Sequence, residues 1–326
     1  MSHADAAFHR YLDWKEPIDE RSLNARVRQA FLEAVTALGR QRLRVLDCGT
    51  GTGAMIRRLV RWGLPGEVEI VGLDVDASLI GVAPDKFASW AWEHGYTLRV
   101  HRQTGGARQV MSIRTDTAEV RVRLYQHDLY AMDTLEADVP WQGAFDVVTA
   151  LSLADLLDEE RGLPALLAPL RPQGLVYLLL NYDHETIFEP TPDRSWEAAM
   201  IQAHHRVMES RTPGRENPGA SYIGRTLYHL LRRQGCQMLA YGPSDWLTCP
   251  DMDGQYPAQE AEFVRQIVAW VYAAGKRCET LDARRVDAWY RGRLSQLDQG
   301  ELVYICRQND ILGRHLGPAP SDTGRD

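Results

Sequence analysis

The chain has 326 residues, enough for one large domain with insertions or for two ordinary domains. Hydrophobic residues make up 44% and charged residues 25%, the composition of a globule with a packed core, and a net charge of −7 argues against nucleic acid as a general partner. The five cysteines, Cys48, Cys236, Cys249, Cys278 and Cys306, form no CxxC or CxxH pair, so neither a disulfide framework nor a metal site is expected. The opening MSHADAAFHRYLDWKE lacks the apolar stretch of a signal peptide, and the longest apolar run, 175–180, is too short to cross a bilayer. The expectation is a cytoplasmic chain with no membrane partner; a homodimer stays open.

In chain order, residues 21–38 read as an amphipathic helix with Val27, Phe31, Val35 and Leu38 near helical spacing. Residues 43–48 form a short apolar strand running into a glycine turn, 54–62 a helix, 68–73 a buried strand and 77–94 a helix. Three β-like runs then follow, 97–102, 109–114 and 119–125, an added hairpin feeding the next sheet strand. Residues 145–150 read as strand, 153–170 mostly as helix and 174–181 as strand. The stretch 184–220, with a helix over 196–209 and a loop over 212–220, reads as a cap inserted over the sheet edge. Helix 223–234, strand 236–241, helices 258–274 and 283–296 and a closing strand 301–307 complete the pattern.

This alternation predicts an α/β fold: a doubly wound, mostly parallel seven-stranded sheet with a helical N-terminal segment, an added β-hairpin and a cap insertion. The expected boundaries are 1–40 for the helical segment, 41–183 and 221–310 for the core, 184–220 for the cap and 317–326 for a flexible tail.

The informative segment is LRVLDCGTGTGAM, residues 43–55, in which Asp47 ends a strand and Gly49, Gly51 and Gly53 precede a helix. Glycines let the backbone turn sharply and approach a ligand, with the amides of a helix N-terminus aimed at it. The same letters fit GxGxx(G/A) from Gly49 through Gly51 to Ala54, so a nicotinamide cofactor has to be weighed. Against it stands Asp47, whose carboxylate would repel a pyrophosphate and attract a ligand carrying an ammonium and a sulfonium. Asp74 ends the second strand, where an acid can accept ribose hydroxyls, and Asp128 follows the third, near the place of an adenine amine. Asp133 and Asp138 lie close enough in sequence to compete with Asp128.

These features resemble the class I, Rossmann-like S-adenosylmethionine-dependent methyltransferases, over a core from residue 43 to about 307. The resemblance implies that Asp47, Gly49, Thr50, Gly51 and Gly53 hold the methionine part of the cofactor. It implies that Asp74 and Val75 meet the ribose, Asp128 and Leu129 the adenine, and Ala150 and Leu151 of TALSL flank the bound cofactor. Pro172-Gln173-Gly174 stands where such enzymes carry a similar turn. The segments WKEPIDERSLNARV, LNYDHETIFEP, GRTLYHLL and GPSDWL resemble a narrower bacterial set without a settled substrate. The implied activity is methyl transfer to an O, N or C atom of a small soluble molecule. The runners-up are a non-catalytic adenosyl-ligand module and a nicotinamide-dependent oxidoreductase.

For an acceptor, Asn181, Tyr182 and Asp183 follow the fifth strand, on the side where ligands sit in open α/β sheets, although loop residues bonding their own backbone would look the same. Asp183, His204 and His205 are candidate general bases, with Glu185 also available. Arg206 and Arg225, with Arg194, Arg211 and Arg215, would give the cap a basic roof suited to a carboxylate or phosphate. Trp246 would wall the pocket or belong to the core. No GxSxG elbow, phosphate-binding GxxxxGK[ST] loop or HExxH helix occurs. ALSL replaces the (N/D)PPY of relatives that modify bases or amides.

Overall fold

Two helices rather than one lead into the first strand. Asn24 explains the break: its side-chain oxygen accepts from the amides of Arg26 and Val27 at 3.1 and 3.0 Å, capping a new helix. The computed structural model describes residues 3–103, 105–116, 118–135, 141–158, 160–210 and 220–317. The expected tail beyond residue 317, most of the 212–220 loop, Arg211, Arg215 and Asp138 lie outside the described residues.

The elements are α1 (His3–Ser22), α2 (Ala25–Ala37), β1 (Arg42–Cys48), α3 (Ala54–Trp62), β2 (Glu67–Asp74), α4 (Ala77–Glu93), β3 (Thr97–His101), β4 (Gln109–Arg114), β5 (Glu119–Gln126) and β6 (Phe145–Leu151). After these come α5 (Gly162–Leu167), β7 (Leu170–Glu189), α6 (Arg194–Glu209), α7 (Ile223–Arg233), β8 (Cys236–Pro243), β9 (Trp246–Thr248), α8 (Glu260–Arg277), α9 (Ala283–Asp298) and β10 (Val303–His315). Two compact units share the chain. A sheet unit comprises Asn24–Asn181, Thr226–Gly242 and Asp310–Asp326, and a helical unit comprises Met1–Leu23, Tyr182–Arg225 and Pro243–Asn309.

The strand order is β3-β4-β5-β2-β1-β6-β7-β10-β8, with β9 pairing β10. Taking away the antiparallel β3–β4 hairpin and the short β9 leaves the seven strands expected, so the fold is α/β and doubly wound. β1 pairs in parallel with β2 and β6, β2 with β5, and β6 with β7. Val45, Leu46, Ile70, Val71, Val147 and Val148 are fully buried, which is why these strands read as continuous apolar runs rather than alternating ones. Each such side chain contributes about 1.5–3 kcal/mol by leaving water. From β1 the chain winds outward through β2 to β5, then returns to the other side of β1 as β6. The winding direction therefore reverses between β1 and β6, and ligands of open α/β sheets sit at the carboxyl ends of strands flanking such a reversal.

Three expectations need correction. The fifth strand does not stop at Asn181, because β7 runs on to Glu189; Thr186, Ile187 and Phe188 favour extended backbone and Phe188 is buried. Residues 184–189, expected at the start of the cap, are thus strand. The stretch 153–170 is not one long helix, since its helical parts are a short turn over Ala154–Leu156 and the single short helix α5. The closing strand extends past Arg307 to His315. The helical unit is also larger than the 184–220 insertion: within it α8 packs on α1, α6 and α9, and Tyr11 stacks on Phe263 at 5.4 Å. Among the described residues no helix is long and apolar enough to cross a membrane.

Inside the sheet unit, Asp310 is fully buried and accepts from two backbone amides, those of Leu180 and Asn24, both at 2.8 Å. It holds Leu180 at a φ of 52°, an unfavourable angle for a branched side chain. Replacing Asp310 by Ala leaves two donors in a dry interior, and we expect a loss of about 2–4 kcal/mol in urea denaturation. A loss under about 0.5 kcal/mol, the ordinary scale of surface substitutions, would contradict this role.

Candidate functional site

The site at the reversal starts from strand register. Asp47 pairs with Gly72 on one side and Thr149 on the other, and Cys48 pairs with Ala150. The carboxyl ends of β1, β2 and β6 therefore bring Asp47, Asp74, Ala150 and Leu151 together. The turn after β1 has positive φ at Gly49 (66°), Gly51 (54°) and Gly53 (82°). A Cβ at Gly53 would lie 2.4 Å from Phe87, whereas one at Gly51 would meet nothing nearer than Leu79 at 3.9 Å. Gly51 is thus demanded by backbone angle and Gly53 by angle and space together. Thr50 is buried, its amide bonded to Leu73 O at 2.9 Å, and Gly72 leaves it room, since a Cβ there would lie 2.8 Å from the Thr50 hydroxyl. Gly53 also opens α3 with no side-chain cap on the helix amides.

Asp47 is 1% exposed. One oxygen, Oδ1, accepts from the Thr149 hydroxyl at 2.8 Å, while Oδ2 has no hydrogen-bond partner among the described residues. Burial pushes its pKa up to about 6; the nearby Thr50 and Thr149 hydroxyls and the Arg58 charge pull it down, and Asp74 adds repulsion. The Thr50 hydroxyl favours the charge while standing outside hydrogen-bonding geometry. Asp74 accepts from the amides of Gly51 at 2.7 Å and Asp76 at 2.9 Å, so it ties the glycine turn to β2. Burial raises its pKa, and those amides oppose the rise. Each of its oxygens keeps a further lone pair for a hydroxyl. Val75 beside it is 66% exposed, an apolar face next to the acids.

Asp128 lies two residues beyond β5, exposed, with Oδ1 capping the following turn through the Tyr130 amide at 2.9 Å. Leu129 is half-buried; Ala150 is buried and Leu151 partly exposed. A cleft of about 690 Å³ in the sheet unit is lined by Leu129, Tyr130, Asp133 and Trp141 among others, and includes none of the glycine-turn residues.

The candidate acceptor residues fall otherwise. Asn181 is buried at the end of the sheet unit's part of β7. In the helical unit the Tyr182 hydroxyl meets His205 Nε2 at 2.7 Å and Thr186 Oγ1 at 2.9 Å. Asp183 has both oxygens engaged, Oδ1 by Arg225 Nε and Oδ2 by the Asn309 amide at 3.2 Å, so it is an anchor rather than a waiting base. Arg225 also donates to the Asp183 carbonyl at 2.9 Å, leaving its charge matched rather than offered to a ligand. His205 is buried, and burial with His184 and His204 nearby drives its pKa down to about 3; at neutral pH it is a feeble base. His204 is buried on α6 and does not line the unit's cleft. Trp246 is no pocket wall: it is buried, its indole N–H donates to Asp19 at 2.9 Å, and its ring meets Phe263 edge-on. Arg206 is exposed at the cleft, donating to Cys278 Sγ at 3.3 Å.

That cleft, about 980 Å³, lies between the end of β7 and α6, and its lining includes His184, Glu189, Gln202, His205, Arg206 and Tyr222. His184 and Tyr222 were not singled out in the sequence; the signal available was the strand pattern continuing through residues 184–188. The expected basic roof is not found among the described residues. Arg194 pairs with Glu189 at 3.1 Å and Arg307 with Glu185 at 3.1 Å, and the lining holds more carboxylates than guanidiniums. All five cysteines are free, and no metal-holding group of His, Cys, Asp and Glu occurs among the described residues.

No family model matches the chain, and no curated protein matches it. Similar solved structures include the cyclase SpnF, at 17% identity, covering 83% of this chain and 74% of that one, TM-score 0.39. A methyltransferase from Thiobacillus denitrificans in complex with S-adenosyl-L-homocysteine is 16% identical, covering 86% and 90%, TM-score 0.40. A putative type II methyltransferase from Anaeromyxobacter dehalogenans is 16% identical, covering 84% and 90%, TM-score 0.43. At such identities the substrates of those proteins say nothing of the chemistry of this chain.

Because the folded pKa of Asp47 lies above its unfolded value of 3.8, the native state binds the extra proton between about pH 4 and 6. That contribution to stability is complete below the unfolded pKa and is lost as pH rises through the folded one. At neutral pH the ionised, half-satisfied carboxylate therefore costs stability. Asp47→Asn should stabilise the ligand-free protein by roughly 1–3 kcal/mol at pH 8, with the gain vanishing below about pH 4. Denaturation curves at the two pH values check this; equal stability of the two proteins at pH 8 would contradict it.

Proposed function

We propose that this chain is an S-adenosylmethionine-dependent methyltransferase whose acceptor is a small molecule. The observation that carries the reading is Asp47 Oδ2, a buried carboxylate oxygen without a partner beside an open glycine turn. Proteins rarely retain such an atom without a use for it. A cationic ammonium satisfies it, whereas a pyrophosphate would meet its charge head on.

Asp47 would hold the ammonium, and the turn amides before α3 would favour the carboxylate of the same amino-acid group. Asp74 would accept from ribose hydroxyls while continuing to bind Gly51. Val75 and Leu129 would supply apolar walls for adenine, and Asp128 the acceptor for its amine. When bound, the cofactor supplies a methyl group already activated on a sulfonium. The remaining work of the chain is to align an acceptor, strip it of water and, where needed, receive its proton. The helical unit has a cleft of its own beside α6, large enough for a metabolite.

Calorimetry with S-adenosylhomocysteine and with NAD tests the cofactor. Micromolar binding of the first and little of the second is expected, and the reverse would overturn the reading. Asp74→Ala should weaken binding by about 1–3 kcal/mol through lost charge-assisted hydrogen bonds. Incubation with labelled methyl donor and a metabolite pool should label a small molecule. Tight binding with no labelled product from any pool would favour a non-catalytic adenosyl-binding module instead.

A further inference from the structure

The cleft of the helical unit contains a hydrogen-bond relay whose direction is fixed by chemistry. The Glu209 carboxylate can only accept, and it accepts from the Ser221 hydroxyl. Ser221 is fully buried and has spent its one proton on Glu209, so toward His184, 3.2 Å from its oxygen, it must accept. His184 therefore donates through Nδ1–H. A neutral imidazole with its proton on Nδ1 carries its lone pair on Nε2. The carboxylate thus sets the tautomer of a histidine two hydrogen bonds away.

The ring is held as firmly as its tautomer. Tyr222 stacks on it at 3.7 Å between centroids and 13° between planes, and His205 lies against it at 4.1 Å. Arg225 sits over Tyr222 at 5.4 Å and Tyr182 follows His205 at 5.8 Å, so the imidazole belongs to a row of four rings. His184 also has φ of 64°, an angle that costs free energy for a non-glycine residue and persists where surroundings impose it. Burial and the Arg225 charge lower its pKa, outweighing Glu209, Asp183 and Glu185, so it is neutral at pH 7.

We propose that His184, through Nε2, is the proton acceptor of this cleft, which takes an uncharged small molecule presenting an O–H or N–H. The charge preference follows from the lining: Glu185, Glu189 and Glu197 are matched by Arg307, Arg194 and Arg293, which leaves Glu209 against Arg206 and little net charge to hold an ion. The proton leaves the ligand's oxygen or nitrogen for Nε2, making an imidazolium whose Nδ1–H still reaches Glu209 through Ser221. Calling that ligand the methyl acceptor rests on the reading above; binding in the cleft does not.

The test is ¹⁵N nuclear magnetic resonance on the full chain labelled at histidine, with phenol and its O-methylated counterpart anisole as probes. Wild-type His184 should be the Nδ1–H tautomer at pH 7, and Ser221→Ala should shift it toward Nε2–H. Phenol should move the Nε2 resonance and bind about tenfold or more tighter than anisole, the worth of one hydrogen bond. His184→Phe should erase that preference. An Nε2–H tautomer in the wild type, a silent Nε2 with phenol, or equal binding of the two probes would overturn the proposal. The probe experiment needs no variant, so it decides even where Ser221→Ala fails to fold. S-adenosylhomocysteine binding on the same sample reports separately on the sheet unit, and its failure would count against the cofactor reading alone.

Discussion

A carboxylate taken out of water and only half satisfied is the constraint on which the rest of the sheet unit turns. Asp47 sits where β1 ends, beside the gap between β1 and β6 at which the winding reverses, with Thr149 of β6 bonded to one oxygen. The other has no hydrogen-bond partner among the described residues. Burying an unpaired charge is among the costlier things a fold can do, and burial raises the pKa of Asp47 accordingly. Around it the turn is held by its backbone: Asp74 ties it to β2, the Thr50 amide ties it to Leu73, and Gly72 opens space for the Thr50 side chain. Support of this kind fixes the geometry of a site while leaving one interaction for a ligand to complete.

The sheet was legible because its signals are local and repeated. Continuous apolar runs at β1, β2 and β6, the first two closing on Asp47 and Asp74, need no knowledge of the rest of the chain. The same is true of Gly49, Gly51 and Gly53, whose alternate spacing before a helix has few other uses. Long-range matters were not legible. Nothing in Asn181-Tyr182-Asp183 says that β7 continues, since Asn and Asp usually end strands. Here both are buried, Asp183 by an arginine 42 residues away. Nor does α1 announce itself, with Pro17 inside it and a weak apolar face.

The acceptor residues show the same limit in sharper form. Arginine clusters in a sequence suggest an anion site, but each guanidinium is worth nothing to a ligand once a carboxylate from elsewhere in the fold has claimed it. Arg225 meets Asp183, Arg194 meets Glu189 and Arg293 meets Glu197. Histidines suggest bases, yet His205 is too buried to hold a proton near neutral pH, while His184, one residue past Asn-Tyr-Asp, meets the Ser221 hydroxyl through Nδ1. Pairing and burial decide these roles, and both are properties of contacts between distant segments.

The central claim is that the Asp47 carboxylate is kept for a cation, and proton release on binding tests it most directly. With a pKa of about 6 in the free protein, Asp47 is half-protonated at pH 6, and a bound ammonium would hold it ionised. Calorimetry of S-adenosylhomocysteine binding in two buffers of different ionisation heat should therefore show release of about half a proton at pH 6, falling toward zero at pH 8, and none from Asp47→Asn. Proton uptake at pH 6, or a release that persists unchanged in Asp47→Asn, would contradict the account.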